Sequence, residues 1–380
     1  MEIIKFADEF GPEKVLEVYD PISKMKGFTV IDNTALGPAK GGIRMTSTVD
    51  VTEVFRLART MTWKCALADL PFGGGKSGII FDSNKDKDKK LDLVKVFARA
   101  IKPICPSEYV SAPDVNTSEK EMQVFVEANG NFNSATGKPL NLCYDLHGKK
   151  VCGLPHELGS TGFGVSYATQ VALKHKKINV KEATIAIEGF GNVGSFAFQS
   201  LEKAGVKIVA ISDSKGCLYN PQGLKFSEIE QVKKERGSVT FGKGKVLKGE
   251  KLFELPVDVL IPAALSDVIN KKNMGKIKAK IIIEAANIPI PLDVEEKLSK
   301  KILIVPDFVA NAGGVISSYV EYIGEGAEYM QKLVGEKIHR NTDLVLETAW
   351  RKKISPRKAG MEIAQQRVRS AMKKREENKN

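Results

Sequence analysis

An α/β fold of two domains is predicted by three observations. The chain has 380 residues, enough for two hydrophobic cores. Residues 184–213 place a strand, a G-x-G-x-x-G turn, a helix and a second strand in immediate succession. Short apolar strands then recur at 257–261, 280–284 and 301–305, the spacing of a doubly wound sheet. We therefore expect an N-terminal α/β domain over 1–155, a Rossmann-type dinucleotide-binding domain over 156–320, and C-terminal helices (about 320–380) returning to the first domain.

Composition narrows the class. A hydrophobic fraction of 42% with 27% charged residues is that of a soluble globular chain. MEIIKFADEF lacks the basic and apolar regions of a signal peptide, and no run of eighteen apolar residues occurs, so a cytoplasmic location and no membrane partner are expected. The net charge of +12 lies largely in short lysine runs such as KDKDKK (85–90) and the tail KKREENKN. No aromatic–basic interleaving accompanies them, which argues against nucleic acid and for a solvated surface that draws in small anions. The cysteines at 65, 105, 143, 152 and 217 form an odd, scattered set, as expected of reduced thiols.

In chain order, residues 1–20 read as a short helix and 27–32 (GFTVID) as a strand. GPAKGGIR (37–44) reads as a Gly/Pro loop that exposes Lys40. In the helix expected over 50–69, Val54, Leu57, Ala58 and Met61 share one face and Lys64 stands at its rim, until Leu70 and Pro71 end it. Phe72 and three glycines then lead to Lys76, and a buried strand follows over 77–82. Three readings compete for KCALADLPFGGGKSG (64–78). A phosphate-binding P-loop is rejected, because position 70 is Leu where that loop needs Gly and a helix precedes where a strand is required. A Gly-rich turn with two snorkelling lysines stays open. So does an anion pocket in which one lysine holds a carboxylate and the other, desolvated, moves protons, with glycines giving close approach or positive φ.

Residues 91–102 form an amphipathic helix ended by Pro103 and Pro106, and a strand at 109–112 runs into Pro113-Asp114-Val115-Asn116-Thr117. Asn116 or Thr117 suits the cap of the helix that starts near Glu119, which leaves Asp114 as a site candidate. Residues 137–164 are rich in Gly and Pro and read as the crossing between domains. Cys143/His147 and Cys152/His156 are C-x3-H pairs, yet structural zinc sites place at least two cysteines close together, so no metal is expected. Thr161 lies near the start of the next helix. In the 184–213 unit, Gly189, Phe190, Gly191, Asn192, Val193 and Gly194 form the turn, the helix N-terminus suits a pyrophosphate, and Asp213 follows 24 residues after the first Gly. Later strands end in Ala263-Ala264, Ala285-Ala286-Asn287 and PDFVANAGG (306–314), small residues and asparagines that a bound cofactor needs. Helices are clearest at 319–334 and 361–372, before a disordered polar tail.

GPAKGGIRM, MTWKCALADLPFGGGKSGI, SAPDVNT, GSTGFGV, GFGNVG, ISDSKG, IPAAL and NAGGVISSY together resemble the Glu/Leu/Phe/Val amino-acid dehydrogenase family over nearly the whole chain, most closely its glutamate-specific members. The resemblance implies reversible NAD(P)-dependent deamination of L-glutamate to 2-oxoglutarate and ammonium in a homo-oligomer, a hexamer, whose first domain binds substrate and makes the subunit contacts. It implies Lys76 as the catalytic lysine, Asp114 as the proton shuttle, Lys64 on the α-carboxylate, and Asn311 and Gly42 as substrate-positioning groups. Lys40 and Ser318 would bind the side-chain carboxylate. Branched-chain enzymes, the alternative reading, are apolar at both of those positions. Thr161, the GFGNVG turn, Asp213, Ser214, Ala263, Ala264, Asn287 and Asn311 would contact the cofactor. Asp213 favours the ribose diol of NAD, whereas Ser212, Ser214 and Lys215 would hold a 2′-phosphate, and the expectation is NADP or NAD with NADP preferred. The chain departs from the family pattern with AANIPI (285–290) in place of GANGPT and STG (160–162) in place of ATG.

Overall fold

The computed structural model describes residues 5, 7–82, 85, 87–146, 148–155 and 158–378. Two compact units emerge. One holds the chain up to Leu158 with Val315–Met330 and the segment from Ile363 onward, and the other holds Gly159–Gly314 with Gln331–Glu362.

The first unit is built on a mixed sheet of β1 (Lys14–Tyr19), β2 (Lys26–Asn33), β3 (Ala39–Lys40), β4 (Ile43–Thr46), β5 (Gly73–Ile80) and β6 (Tyr109–Val110). The order is β1-β2-β5-β3-β6, with β4 beside β5. The period-two alternation of β2 sends Phe28 and Val30 to one face, where Val54, Phe55 and Ala58 of α1 (Val51–Leu67) cover them. Ile31 joins Met25 and Ile79 on the other, under Phe97 of α2 (Lys90–Ala100) and Met122 and Phe125 of α3 (Glu119–Asn129). A hairpin of β7 (Cys143–Leu146) and β8 (Lys149–Cys152) follows.

Several expectations need correction here. Lys14–Tyr19, expected in a helix, is a strand, because it pairs antiparallel with β2, with Leu16 and Val18 packing on one core and Val15 on the other. The loop at 37–44 contains β3 and β4, and Lys40 is buried within it. Ser118, not Asn116 or Thr117, caps α3, in a capping box with Glu121. Cys143 and Cys152 face each other across the β7–β8 hairpin as a disulfide, so those two thiols are not reduced, while Cys65, Cys105 and Cys217 are free and buried. His147 and His156 of the C-x3-H pairs lie outside the described residues.

The second unit starts with α4 (Ser160–His175), β9 (Thr184–Glu188), α5 (Asn192–Lys203) and β10 (Lys207–Asp213). It continues through β11 (Gly216–Tyr219), α6 (Phe226–Arg236), β12 (Lys245–Leu247), β13 (Val259–Pro262), β14 (Ile281–Ile283), α7 (Leu292–Leu298), β15 (Leu303–Val305) and α8 (Asp307–Ala310). The sheet order is β12-β11-β10-β9-β13-β14-β15. From β10 to β15 neighbours are parallel, and their continuous apolar runs are buried on both faces, whereas β11 and β12 form an antiparallel edge. The chain leaves β9 toward β10 and later returns to its other side with β13, so the strand order reverses between β9 and β13.

The last elements are α9 (Gly313–Tyr322), α10 (Ala327–Lys352) and α11 (Pro356–Glu377). The single helix expected over 319–334 is two, divided at Gly324, whose φ of +77° ends α9. The tail expected to be disordered is helical to Glu377, held by ion pairs from Arg369 to Glu9 and from Arg375 to Glu13. Among the described residues no helix is long and apolar enough to cross a membrane.

Candidate active site

The glycine run before Lys76 belongs to β5, and none of Gly73, Gly74 or Gly75 has positive φ. Their smallness serves packing. A Cβ on Gly74 would lie 2.1 Å from Thr62 Oγ1 and 2.2 Å from Thr62 N on α1. One on Gly75 would lie 2.9 Å from the Ala39 Cβ and 3.0 Å from the Tyr109 ring. The expectation of a ligand-hugging or left-handed turn is therefore corrected: the glycines draw α1 and β3 tightly onto β5, and with them Lys64 and Lys40.

Lys76, 6% exposed, sits within β5 with Nζ 3.1 Å from Asp114 Oδ2. Asp114 follows β6 and is fixed on both sides. Its N–H donates to Thr117 Oγ1 at 2.7 Å, and the Thr117 hydroxyl donates to the Ile43 carbonyl at 2.8 Å. Gly42 packs beneath it, where a Cβ would meet the Pro113 carbonyl oxygen at 2.5 Å. Arg44 completes the cluster, with Nε 2.8 Å from Asp114 Oδ2 and Nη1 2.6 Å from Glu53 Oε1. Burial lowers the Lys76 pKa below that of a free lysine, against the opposing pull of Asp114. Burial alone would raise Asp114, yet the charges of Lys76 and Arg44 overcome it and keep the carboxyl below its usual range. Such a pair keeps its resting proton on Lys76, whose burial makes it easier to release, and leaves Asp114 ionised as an acceptor.

Lys40 is 1% exposed, and its ammonium donates to the carbonyls of Val110 and Ser111. Burial brings its pKa down to about 7, with Glu321 acting in the opposite sense. Lys64 is half-buried in the last turn of α1, whose terminal carbonyls at Ala66 and Leu67 accept from Arg367 at 2.9 and 2.7 Å. The buried Cys65 thiol, pushed up to about 12 by desolvation, feels both Lys40 and Lys64, and Lys40 also feels Lys76. The three lysines thus share one electrostatic neighbourhood. Ser318, 5% exposed, is on α9. Edge-on ring contacts of Phe72 with Tyr319 and Tyr322, at 6.0 and 5.2 Å, seat that helix beside the start of β5.

In the second unit the three glycines of GFGNVG do three different things. Gly189 makes the turn at φ +98°. Gly191 N-caps α5 with no side-chain cap, and a Cβ there would meet nothing within 4 Å. Gly194 lies so close beneath Gly189 that a Cβ would come 2.0 Å from its carbonyl oxygen. An open second glycine at an uncapped helix start is the cradle that a pyrophosphate fills. Asn192 and Val193 occupy the first positions of α5, and Phe190 packs on Phe198 and Phe226. Thr161 is in the first turn of α4. The amides of Ala263 and Ala264 donate to the Glu188 carboxylate. Asn311 donates to the carbonyls of Ala285 and Ala286 and to Asn287 Oδ1 at 3.0 Å, and its own buried Oδ1 has no partner among the described residues. Asp213 is saturated: its carboxylate accepts from Lys233 Nζ, the Ser238 hydroxyl and the N–H groups of Lys215 and Val239. Ser212 Oγ accepts from the Gly189 N–H, while Ser214 and Lys215 are exposed.

Sequence reasoning overlooked Arg44, Glu53, Thr117, Lys138 and Glu321. Only Arg44 carries a local signal, a charge inside the short strand IRMT.

Residues 153–376 match the family described as Glutamate/Leucine/Phenylalanine/Valine dehydrogenase, and residues 12–130 match its dimerisation domain. A glutamate dehydrogenase of Aeropyrum pernix is 37% identical over 96% of this chain and 92% of that protein. One of Thermotoga maritima is 40% identical over 82% and 77% respectively. Among solved structures, the glutamate dehydrogenase of Peptoniphilus asaccharolyticus superposes with a TM-score of 0.83 at 29% identity, covering 96% of this chain and 92% of that one.

Proposed function

Because the chain belongs to the Glu/Leu/Phe/Val dehydrogenase family, we propose that it acts as a glutamate dehydrogenase through a Lys76–Asp114 pair. The reaction is the reversible NAD(P)-dependent oxidative deamination of L-glutamate to 2-oxoglutarate and ammonium. Burial of Lys40 carries the substrate assignment. An ammonium 1% exposed, ringed by carbonyls, would be left uncompensated by a branched aliphatic side chain at a cost of several kcal/mol. A second carboxylate satisfies it, with the Ser318 hydroxyl as a further donor.

The roles follow from the charges. Lys64 pairs with the α-carboxylate, and Gly42 and Asn311 hold the substrate in register. Lys76, kept short of a full solvation shell, donates a hydrogen bond to the 2-oxo oxygen and activates the attacking water or ammonia. Asp114 takes and returns the proton on the substrate nitrogen, and Arg44 together with Lys76 keeps it ionised between turns. The nicotinamide coenzyme, when bound, accepts or gives the hydride. Gly191 and the first N–H groups of α5 would hold its pyrophosphate, Thr161, Asn287 and Asn311 its nicotinamide end, and Ala263 and Ala264 the surface between. NADP is the preferred form in this reading, with NAD also accepted. The saturation of Asp213 leaves exposed Ser214 and Lys215 to meet the ribose, which suits a 2′-phosphate. The domain limits proposed are 1–155, completed by the C-terminal helices of about 320–380, and 156–320, the assembly a homohexamer formed through the first domain, and the location cytoplasmic.

The test is spectrophotometric. With ammonium and NADPH or NADH, 2-oxoglutarate should be reduced faster than 2-oxoisocaproate, and the reverse order would overturn the substrate assignment.

A further inference from the structure

Behind the Lys40 subsite is a second buried lysine, and one carboxylate stands for both. Lys138 is 1% exposed and Glu321 is 0% exposed. Lys138 Nζ lies 2.7 Å from Glu321 Oε1, donates to the Ala135 carbonyl and stands 3.9 Å over the Phe132 ring. Glu321 Oε2 accepts the Gly137 N–H at 2.6 Å. Among the described residues, the hydrogen bonds and ion pair of Glu321 are thus with the Gly137–Lys138 turn. Lys40 receives its stabilising influence only from a distance, and the ammonium groups of Lys138 and Lys76 oppose it. Glu321 is three residues beyond Ser318 on α9, so the two share a face of that helix. The Cys65 thiol, also near Lys40, stays neutral.

We propose that Lys138 and Glu321 are positioning residues that set the charge of the distal-carboxylate subsite. Glu321 is engaged by Lys138, which leaves Lys40 as the uncompensated positive charge that the second carboxylate of the substrate completes. This inference rests on the glutamate reading and deepens it. Without Lys138, Glu321 would neutralise Lys40 itself, and the subsite would no longer call for an anion. Without Glu321, two ammonium groups would repel one another, and Lys40 would lose its proton more readily.

The two variants therefore move one observable in opposite directions. In wild type, KM for 2-oxoglutarate rises with pH as Lys40 deprotonates. In Lys138→Gln that midpoint should move up by about one pH unit, and the ratio of kcat/KM for 2-oxoglutarate over 2-oxopentanoate should fall about tenfold. In Glu321→Gln the midpoint should move down by about one unit. Midpoints that stay put, or move the same way in both variants, would overturn the proposal, because a merely structural pair would lose stability without opposite shifts. Should either variant fail to fold, Lys138→Arg and Glu321→Asp keep both charges and must keep the wild-type midpoint; displacement by more than about half a unit overturns it. A wild type that prefers 2-oxopentanoate would instead defeat the glutamate reading itself.

Discussion

At Lys40 burial and charge conflict most sharply. An ammonium buried with neutral backbone carbonyls as its hydrogen-bond acceptors is costly while protonated, and here its pKa falls to about 7, below the roughly 10.4 of an unfolded lysine. Between those values the unfolded chain binds the extra proton, so stability rises with pH across that window; below it the full penalty of a buried charge is present. Lys40→Met should therefore stabilise the protein by about 1–4 kcal/mol at pH 6, with the gain shrinking toward pH 10, as read by urea denaturation at both ends. A loss of stability at pH 6 would show that the ammonium is better compensated than its contacts indicate. The sequence made Lys64 and Asp114 visible because each stands at the edge of an element, and Lys76 because a charge interrupts a run of glycine and apolar residues. It hid Lys138 and Glu321, which are 183 positions apart and meet only through tertiary packing.

Elements show where glycine is a packing device and where it is a binding device. Gly191 and Gly194 sit three residues apart around one helix start, yet only Gly194 faces backbone, at 2.0 Å. Gly194→Ala should lower stability by about 1–3 kcal/mol through overpacking. Gly191→Ala should leave the thermal midpoint unchanged and raise KM for the coenzyme, because its methyl occupies the cradle and nothing else. Equal effects on folding and coenzyme KM in both variants would contradict that division. The GFGNVG unit was legible because strand, turn, helix and acid follow one another within 30 residues. The glycines before Lys76 were misread because their neighbours, Thr62 and Tyr109, belong to α1 and β6, which no local pattern ties to them. The strand at Lys14–Tyr19 was missed for a similar reason: KVLEVY has no clean alternation, and its six residues are a strand because β2 pairs with them.

Across the whole molecule, the chain forms two units with separate cores. In the proposed reaction the first would supply Lys40, Lys64, Lys76, Asp114 and Ser318, and the second the β9–α5 cradle and Asn311. Segments 315–330 and those from 363 onward belong with the N-terminal unit, so residues more than 200 positions from Lys76 are built into the same unit. That two-unit plan was readable from hydrophobic periodicity and one motif, whereas the helical tail was not, since its anchors are ion pairs to Glu9 and Glu13. The central claim is that the buried Lys76–Asp114 pair moves the protons, and single-turnover rates of Lys76→Met test it most directly. The variant should keep its thermal midpoint within a few degrees and lose about 10²- to 10⁴-fold in the rate of 2-oxoglutarate amination; a folded variant that retains more than about a tenth of the wild-type rate would contradict the claim.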